Sequence, residues 1–239
     1  MELVEKKDYG DLCAFVARRV ADYILQHPGT LVCLAAGDTM LGVFQELVKL
    51  GKQGEVNLSS AYYVSLDEWG NLGYETKGSC KQTLYDNFFI PAGIPEDKIC
   101  FFDGLSDDVD GECKRIADFI SAHGQIGISV LGVGMNGHVG FNEPYTKQND
   151  VCLKVLLDPV TCTVSSKYFE KPVKTDFGIT ISINTLLDSQ EILLVANGAK
   201  KTSIVYKTLY SMPSMAVPST MLRSHKNCIF AVDAEANPC

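Results

Sequence analysis

Residues 134–144, GMNGHVGFNEP, place an imidazole, His138, five residues before a carboxylate, Glu143, on a backbone broken by three glycines. His138 is one of four histidines, and an imidazole can take and return a proton near neutral pH. Glu143 can orient that ring and stabilise its charged form, with Asn136 as a neutral hydrogen-bonding partner. Gly134, Gly137 and Gly140 permit turns that a Cβ would obstruct and let a ligand come close. The plainer alternative is a glycine-rich loop carrying a solvated His and Glu. A second stretch, SLDEWG, sets Asp67 and Glu68 directly after an apolar run. A carboxylate partly desolvated beside Trp69 would have a raised pKa and could serve as a general base. Two ordinary surface acids are the alternative there.

Two further stretches suit an anion. In AAGDT, Gly37, Asp38 and Thr39 precede a helical pattern, where backbone N–H groups and the positive dipole end can hold a phosphate. Lys200 and Lys201 follow Gly198 and open another helix, so a cation can meet the same phosphate. Each signal is weak alone, since strand-to-helix junctions and solvated lysine pairs are common.

The elements that must position these residues can be read from periodicity. Leu12, Phe15, Val16, Val20, Tyr23 and Ile24 share a helical face over residues 8–27, and His27-Pro28-Gly29 ends that helix. TLVCLAAGD then reads as a strand and loop, and LGVFQELVKL as a helix. AYYVSL, KICFF and IGISVLGVG read as strands, separated by the helices SCKQTLYDNFF and ECKRIADFISAHG. ITISI, EILLVANG and NCIFAVD read as later strands, with AKKTSIVYKTLY a helix. Alternating strands and helices predict an α/β fold with a mainly parallel sheet and helices on both faces. Ligands of such sheets bind at the carboxyl ends of the strands, and all four chemical stretches follow strands there. Residues 145–177 are polar, irregular and weakly periodic, the character of an active-site lid.

A chain of 239 residues is long enough for one large domain, here 1–239, and its 46% hydrophobic content is that of a soluble globular protein. The net charge of -8 argues against nucleic acid as a partner. No apolar run reaches the length of a membrane span, so no membrane partner is expected. The nine cysteines are scattered without a CxxC pair, which predicts buried free thiols and a reducing, cytoplasmic setting. His and Cys clusters at ligand spacing are missing, so neither a metal nor an organic cofactor is expected.

In this order, LDEW followed by GHVGFNEP resembles the glucosamine-6-phosphate deaminase family, whose superfamily also holds the 6-phosphogluconolactonases, and the similarity runs along nearly the whole chain. The resemblance implies a doubly wound sheet with a mobile lid over the pocket. It implies opening and isomerisation of a 2-amino-2-deoxyhexose 6-phosphate with release of ammonia, by a monomer or small homo-oligomer. Asp67 matches the carboxylate that shuttles the C2 proton, and His138 the histidine that opens the ring, supported by Asn136 and Glu143. Gly37, Asp38 and Thr39 match the phosphate loop, and Lys201 the phosphate-binding lysine. Lys167, in SSKYFE, falls where the family usually has a phosphate-binding arginine. LDEW followed by GSC looks closer to the galactosamine-6-phosphate deaminase/isomerase branch, which implies tagatose 6-phosphate as product; glucosamine 6-phosphate would give fructose 6-phosphate. A lactonase on the same scaffold is the nearest rival, although Glu143 stands in FNEP where lactonases typically break the motif. A non-catalytic sugar-phosphate sensor is the rival from another class; such regulators carry a helix-turn-helix, for which this reading finds no room.

Overall fold

The computed structural model describes residues 1–165, 169, 173 and 175–238, with Val164 and Ser165 described by their backbone alone. The described strands are β1 (Glu2–Lys6), β2 (Leu31–Leu34), β3 (Tyr62–Ser65), β4 (Asp67–Trp69), β5 (Ile99–Cys100), β6 (Ile126–Gly132), β7 (Cys152–Leu156), β8 (Phe177–Ile181), β9 (Glu191–Ala196) and β10 (Cys228–Asp233). The helices are α1 (Tyr9–Gln26), α2 (Met40–Lys52), α3 (Cys80–Leu84), α4 (Ile90–Ala92), α5 (Val109–Ala122), α6 (Pro159–Ser165), α7 (Ile183–Leu187) and α8 (Thr202–Tyr210).

Seven strands form one sheet in the order β1-β10-β9-β6-β2-β3-β5, and every pairing in it is parallel. Strands covered by helices on both faces should be apolar throughout rather than alternating. β2 and β10 are buried at every position, and so is β6 but for Gly132. From β2 the chain steps outward to β3 and β5, then returns to β6 on the other side of β2. The order therefore reverses between β2 and β6, and the loops leaving those two strands flank a crevice. Leu34 lies opposite Val130, and the Ala35 N–H donates to the Val130 carbonyl at 3.0 Å, so both loops leave the sheet level.

The helices form where the apolar stripe predicts. In α1 the stripe buries Leu12, Val16, Val20 and Ile24, and Asp8 caps the first turn by accepting from the Asp11 N–H. Gly29, at φ +82°, lets the chain turn into β2. α2 packs closely on α1 because Gly42 has no Cβ; one would sit 2.5 Å from the Cys13 thiol. α3 runs through a π-helical turn, Tyr85–Phe89, into α4, placing Phe88 against both Phe44 and Tyr63.

The charged N-terminal segment forms β1, an edge strand paired with β10. Two expectations are corrected. ITISI is a strand but lies outside the parallel sheet: β8 pairs antiparallel with both β4 and β7 in a second sheet. Residues 145–177, expected to be irregular, contain β7 and α6. β7 is short and buries only Cys152 and Val155, so its pattern is too weak to read without its partner β8.

The second sheet carries the loop after β6. Gly178 of β8 leaves room for the Phe141 ring, whose Cδ2 would be 2.3 Å from an added Cβ. Gly178→Ala should destabilise the protein by about 1–3 kcal/mol through overpacking, read as a lower urea midpoint at unchanged slope.

Candidate active site

The loop after β6 wraps around its own histidine. The Gly134 N–H donates to the His138 carbonyl at 2.9 Å, and the Gly137 N–H to the Gly134 carbonyl at 3.0 Å. The imidazole lies against Gly134, where a Cβ would come within 2.2 Å of Cε1 and Nε2; only glycine admits the ring there. Asn136 holds the loop at two points: its Oδ1 accepts from the His138 N–H at 3.1 Å, and its Nδ2 donates to Glu143 Oε2 at 2.8 Å. His138 Nδ1 is 3.5 Å from that same Oε2 and 3.1 Å from the Thr161 hydroxyl of α6. Glu143 is only 3% exposed. Burial pushes its carboxyl up, but His138, Thr161 and Asn136 together hold it below the ordinary carboxylate range. The three residues singled out in this loop are therefore one connected group.

The two acids of LDEW have separate environments. Glu68 is fully buried and accepts from the N–H groups of Trp69, Cys80 and Lys81 at 2.7, 3.0 and 2.8 Å. It thus satisfies the start of α3; burial pushes the carboxyl up to about 8 against the pull of those donors. Asp67, at the head of β4, is 8% exposed and is not engaged in this way. Burial pushes it up to about 7, opposed by a hydrogen bond from the Cys80 thiol. A carboxyl of that kind changes charge near neutral pH, as a general base requires.

Thr180 of β8 joins this acid to the histidine loop. It lies opposite Asp67 in the register of the small sheet, and its hydroxyl accepts from the Phe141 N–H at 3.2 Å. Gly140, at φ +57°, presses close: a Cβ there would be 2.6 Å from the Thr180 hydroxyl. Trp69 packs edge-on against Phe141 at 4.5 Å between ring centroids.

The two stretches expected to hold an anion sit at the same sheet edge. Gly37 and Asp38 are exposed and lead into α2, whose first turn has no side-chain cap. Thr39 instead donates its hydroxyl to Asn197 Oδ1 at 2.6 Å, tying the loop after β2 to the loop after β9. Lys201 reaches across to the Val133 carbonyl at 2.5 Å, next to Gly134. Its ammonium has three donor hydrogens, so a phosphate can share it with that carbonyl. Lys200 is exposed. Lys167 lies outside the described residues.

Thr161, Thr180 and Asn197 are not singled out by the sequence, whereas Cys80 belongs to GSC. A lone Thr or Asn carries no spacing signal, and each acts here through a partner distant along the chain. Most of the described thiols are buried as expected: Cys13, Cys33, Cys80, Cys100, Cys152 and Cys228 are buried and free, while Cys113 is half-buried and Cys162 is exposed. Among the described residues, no helix is long and apolar enough to cross a membrane.

Comparison with known proteins matches residues 6–230 to the family model for glucosamine-6-phosphate isomerases/6-phosphogluconolactonase. A glucosamine-6-phosphate deaminase of Clostridium acetobutylicum is 32% identical over 238 residues, covering 99% of this chain and 98% of that protein. One from Halothermothrix orenii is 31% identical, with 99% and 98% covered. Among solved structures, a monomeric glucosamine-6-phosphate deaminase superposes with a TM-score of 0.94 at 30% identity, covering 99% of this chain and 98% of that one. A 6-phosphogluconolactonase from Thermotoga maritima gives 0.78 at 19% identity, with 97% and 99% covered, a likeness of fold alone.

The Asp67 environment has a direct readout. Titration of the 13C-labelled Asp67 carboxyl should show a midpoint near 7, against about 3.9 for an unperturbed aspartate. Cys80→Ala should move it higher by removing the thiol hydrogen bond. A midpoint near the unperturbed value would show that water reaches the carboxyl.

Proposed function

This chain belongs to the glucosamine-6-phosphate isomerase/6-phosphogluconolactonase family, and we propose that residues 1–239 form one domain that isomerises and deaminates a 2-amino-2-deoxyhexose 6-phosphate. The observation that carries the proposal is a buried carboxyl poised near neutral pH, Asp67, joined through Thr180 to the His138–Glu143–Asn136 group. The histidine loop leaves the strand end that Lys201 bonds, and the Gly37–Thr39 turn leads into a helix start without a side-chain cap. The relatives named as deaminases support the same reading.

The phosphate dianion rests on the Gly37–Thr39 turn and Lys201, with Lys167 as a second cation by resemblance. The Asp38 carboxylate must turn away from it, since like charge would weaken binding. His138, oriented by Glu143 and Asn136, takes the proton of the anomeric hydroxyl and delivers one to the ring oxygen as the C1–O5 bond breaks. Asp67 then removes the C2 proton from the open-chain aldehyde as O1 gains a proton, giving a C1=C2 enolamine, and returns it to C1 as the amine loses a proton, leaving an alcohol at C1 and an imine at C2. Water adds to that imine, the C–N bond breaks, and ammonia leaves with the ketose 6-phosphate as second product. These steps move protons among oxygen, nitrogen and carbon, which side chains can do without a cofactor.

Glucosamine 6-phosphate is the substrate that the named relatives favour. Galactosamine 6-phosphate is the second reading, carried by the resemblance of LDEW and GSC. Trp69 is 6% exposed and packs on Phe141 and Phe169, so any influence on the epimer would be indirect. Lactone hydrolysis is supported only by fold-level likeness.

Incubation with each hexosamine 6-phosphate and with 6-phosphogluconolactone, assaying ammonia and acid release, distinguishes these readings. Ammonia with neither amino sugar would end the deaminase assignment. Asp67→Asn keeps the shape without the base, so kcat should fall by about 10²–10⁴, with exchange of the C2 hydrogen into deuterated water lost in parallel. Because the carboxyl must be ionised to accept a proton, kcat/KM should drop as pH falls through about 7, and that limb should vanish in the variant. Lys201→Ala should raise KM roughly 10- to 100-fold, the loss of a charge-assisted bond of about 1.5–3 kcal/mol; an unchanged KM would remove Lys201 from the site.

A further inference from the structure

The imidazole of His138 has two candidate partners for Nδ1, and the nearer is not the carboxylate. Glu143 Oε2 stands at 3.5 Å, beyond the usual range of an N–H···O bond. The Thr161 hydroxyl stands at 3.1 Å. Thr161 is 4% exposed and is aimed inward by the start of α6. There Asp158 Oδ1 accepts from the Val160 N–H at 2.8 Å and the Asp158 carbonyl from the Cys162 N–H at 2.9 Å. Thr161 also lowers the Glu143 pKa, so its hydroxyl faces that carboxylate as well as the ring, and Glu143 Oε1 is buried with no hydrogen-bond partner among the described residues. A carboxylate only accepts, so a hydroxyl between it and the ring points its hydrogen to the carboxylate and its lone pair to Nδ1.

We propose that Thr161 is a positioning residue whose hydroxyl accepts from the Nδ1–H of His138, which leaves Nε2 as the nitrogen that exchanges a proton with the sugar. The assignment rests on the deaminase reading of this site for its catalytic consequence, but the tautomer itself does not. A ring nitrogen's protonation is set by the hydrogen bond its partner nitrogen makes. The Nε2 side of the ring packs at Gly134, which has no Cβ to displace it, and the His138 side chain stays 21% exposed, so the ring is not sealed off. Helix α6 therefore contributes to the chemistry through Thr161, which fixes the proton on His138.

The test is the tautomer of His138 in the substrate-free protein labelled with 15N-histidine, read from two-bond 1H–15N correlations above the imidazole titration and assigned with His138→Asn. The wild type should carry its proton on Nδ1. Thr161→Val, which keeps the shape and loses the hydroxyl, should give a mixture with Nε2–H, and Thr161→Ser should restore Nδ1–H. In turnover, Thr161→Val should lower kcat by on the order of 10²-fold with KM little changed, and Thr161→Ser should recover it. An Nε2–H ring in the wild type overturns the proposal without any variant, and so does a Thr161→Val protein that keeps the wild-type tautomer. A wild type with Nδ1–H that releases no ammonia would support the Thr161 contact while removing the deaminase reading.

Discussion

The site depends on one buried hydroxyl, that of Thr180. It stands where the main sheet ends and the small sheet begins, accepting from the Phe141 N–H and lying 3.3 Å from the Leu66 carbonyl. Leu66 is the residue between β3 and β4, so a single side chain links the acid loop to the histidine loop. The Ile181 N–H also donates to Leu66, at 2.9 Å. A parallel sheet alone delivers its loops to one edge, but it does not set their mutual distance. The antiparallel strand laid across that edge does, and Gly140 and Gly178 allow the close approach.

Three buried carboxyls then take three different roles from their surroundings, the general way one fold separates acid, base and scaffold. Glu68 receives three backbone N–H groups and anchors α3. Glu143 receives side-chain donors and is held ionised beside an imidazole. Asp67 receives no backbone N–H among the described residues and is pushed up to about 7 by burial. Burial raises all three, outweighing even the three N–H donors of Glu68, and only at Glu143 do the partners win. Cys80 serves two of them at once, through its N–H to Glu68 and its thiol to Asp67.

The anion side is built with the same economy. Thr39 bonds to Asn197, and Gly198 is held in turn by both oxygens of Asp233, at 2.9 and 3.1 Å. Three strand ends, those of β2, β9 and β10, are thereby locked together beneath Lys201. The Lys201 bond to Val133 couples that cation to the strand end that feeds the histidine loop, so Lys201 and the histidine loop share one backbone frame.

Much of this was legible from residues alone. The period-3.6 stripes of α1 and α2, and the continuous apolar runs of β2, β6 and β10, are local properties, and they fixed the α/β order and put Asp67, His138, Glu143 and the Gly37–Thr39 turn at strand ends. Motif spacing likewise grouped Asn136, His138 and Glu143, because they lie within eight residues and bond to one another. Residue chemistry alone leaves Asp67 and Glu68 equivalent, and the resemblance that picks Asp67 gives no physical reason; tertiary structure supplies it, since the start of α3 reaches Glu68. It also supplied Thr161, Thr180 and Asn197, and the antiparallel pairing of β4, β8 and β7. Each of those depends on contacts between residues tens of positions apart, and the side chains involved are too common to signal by type; their roles come from burial and direction, which a sequence does not carry.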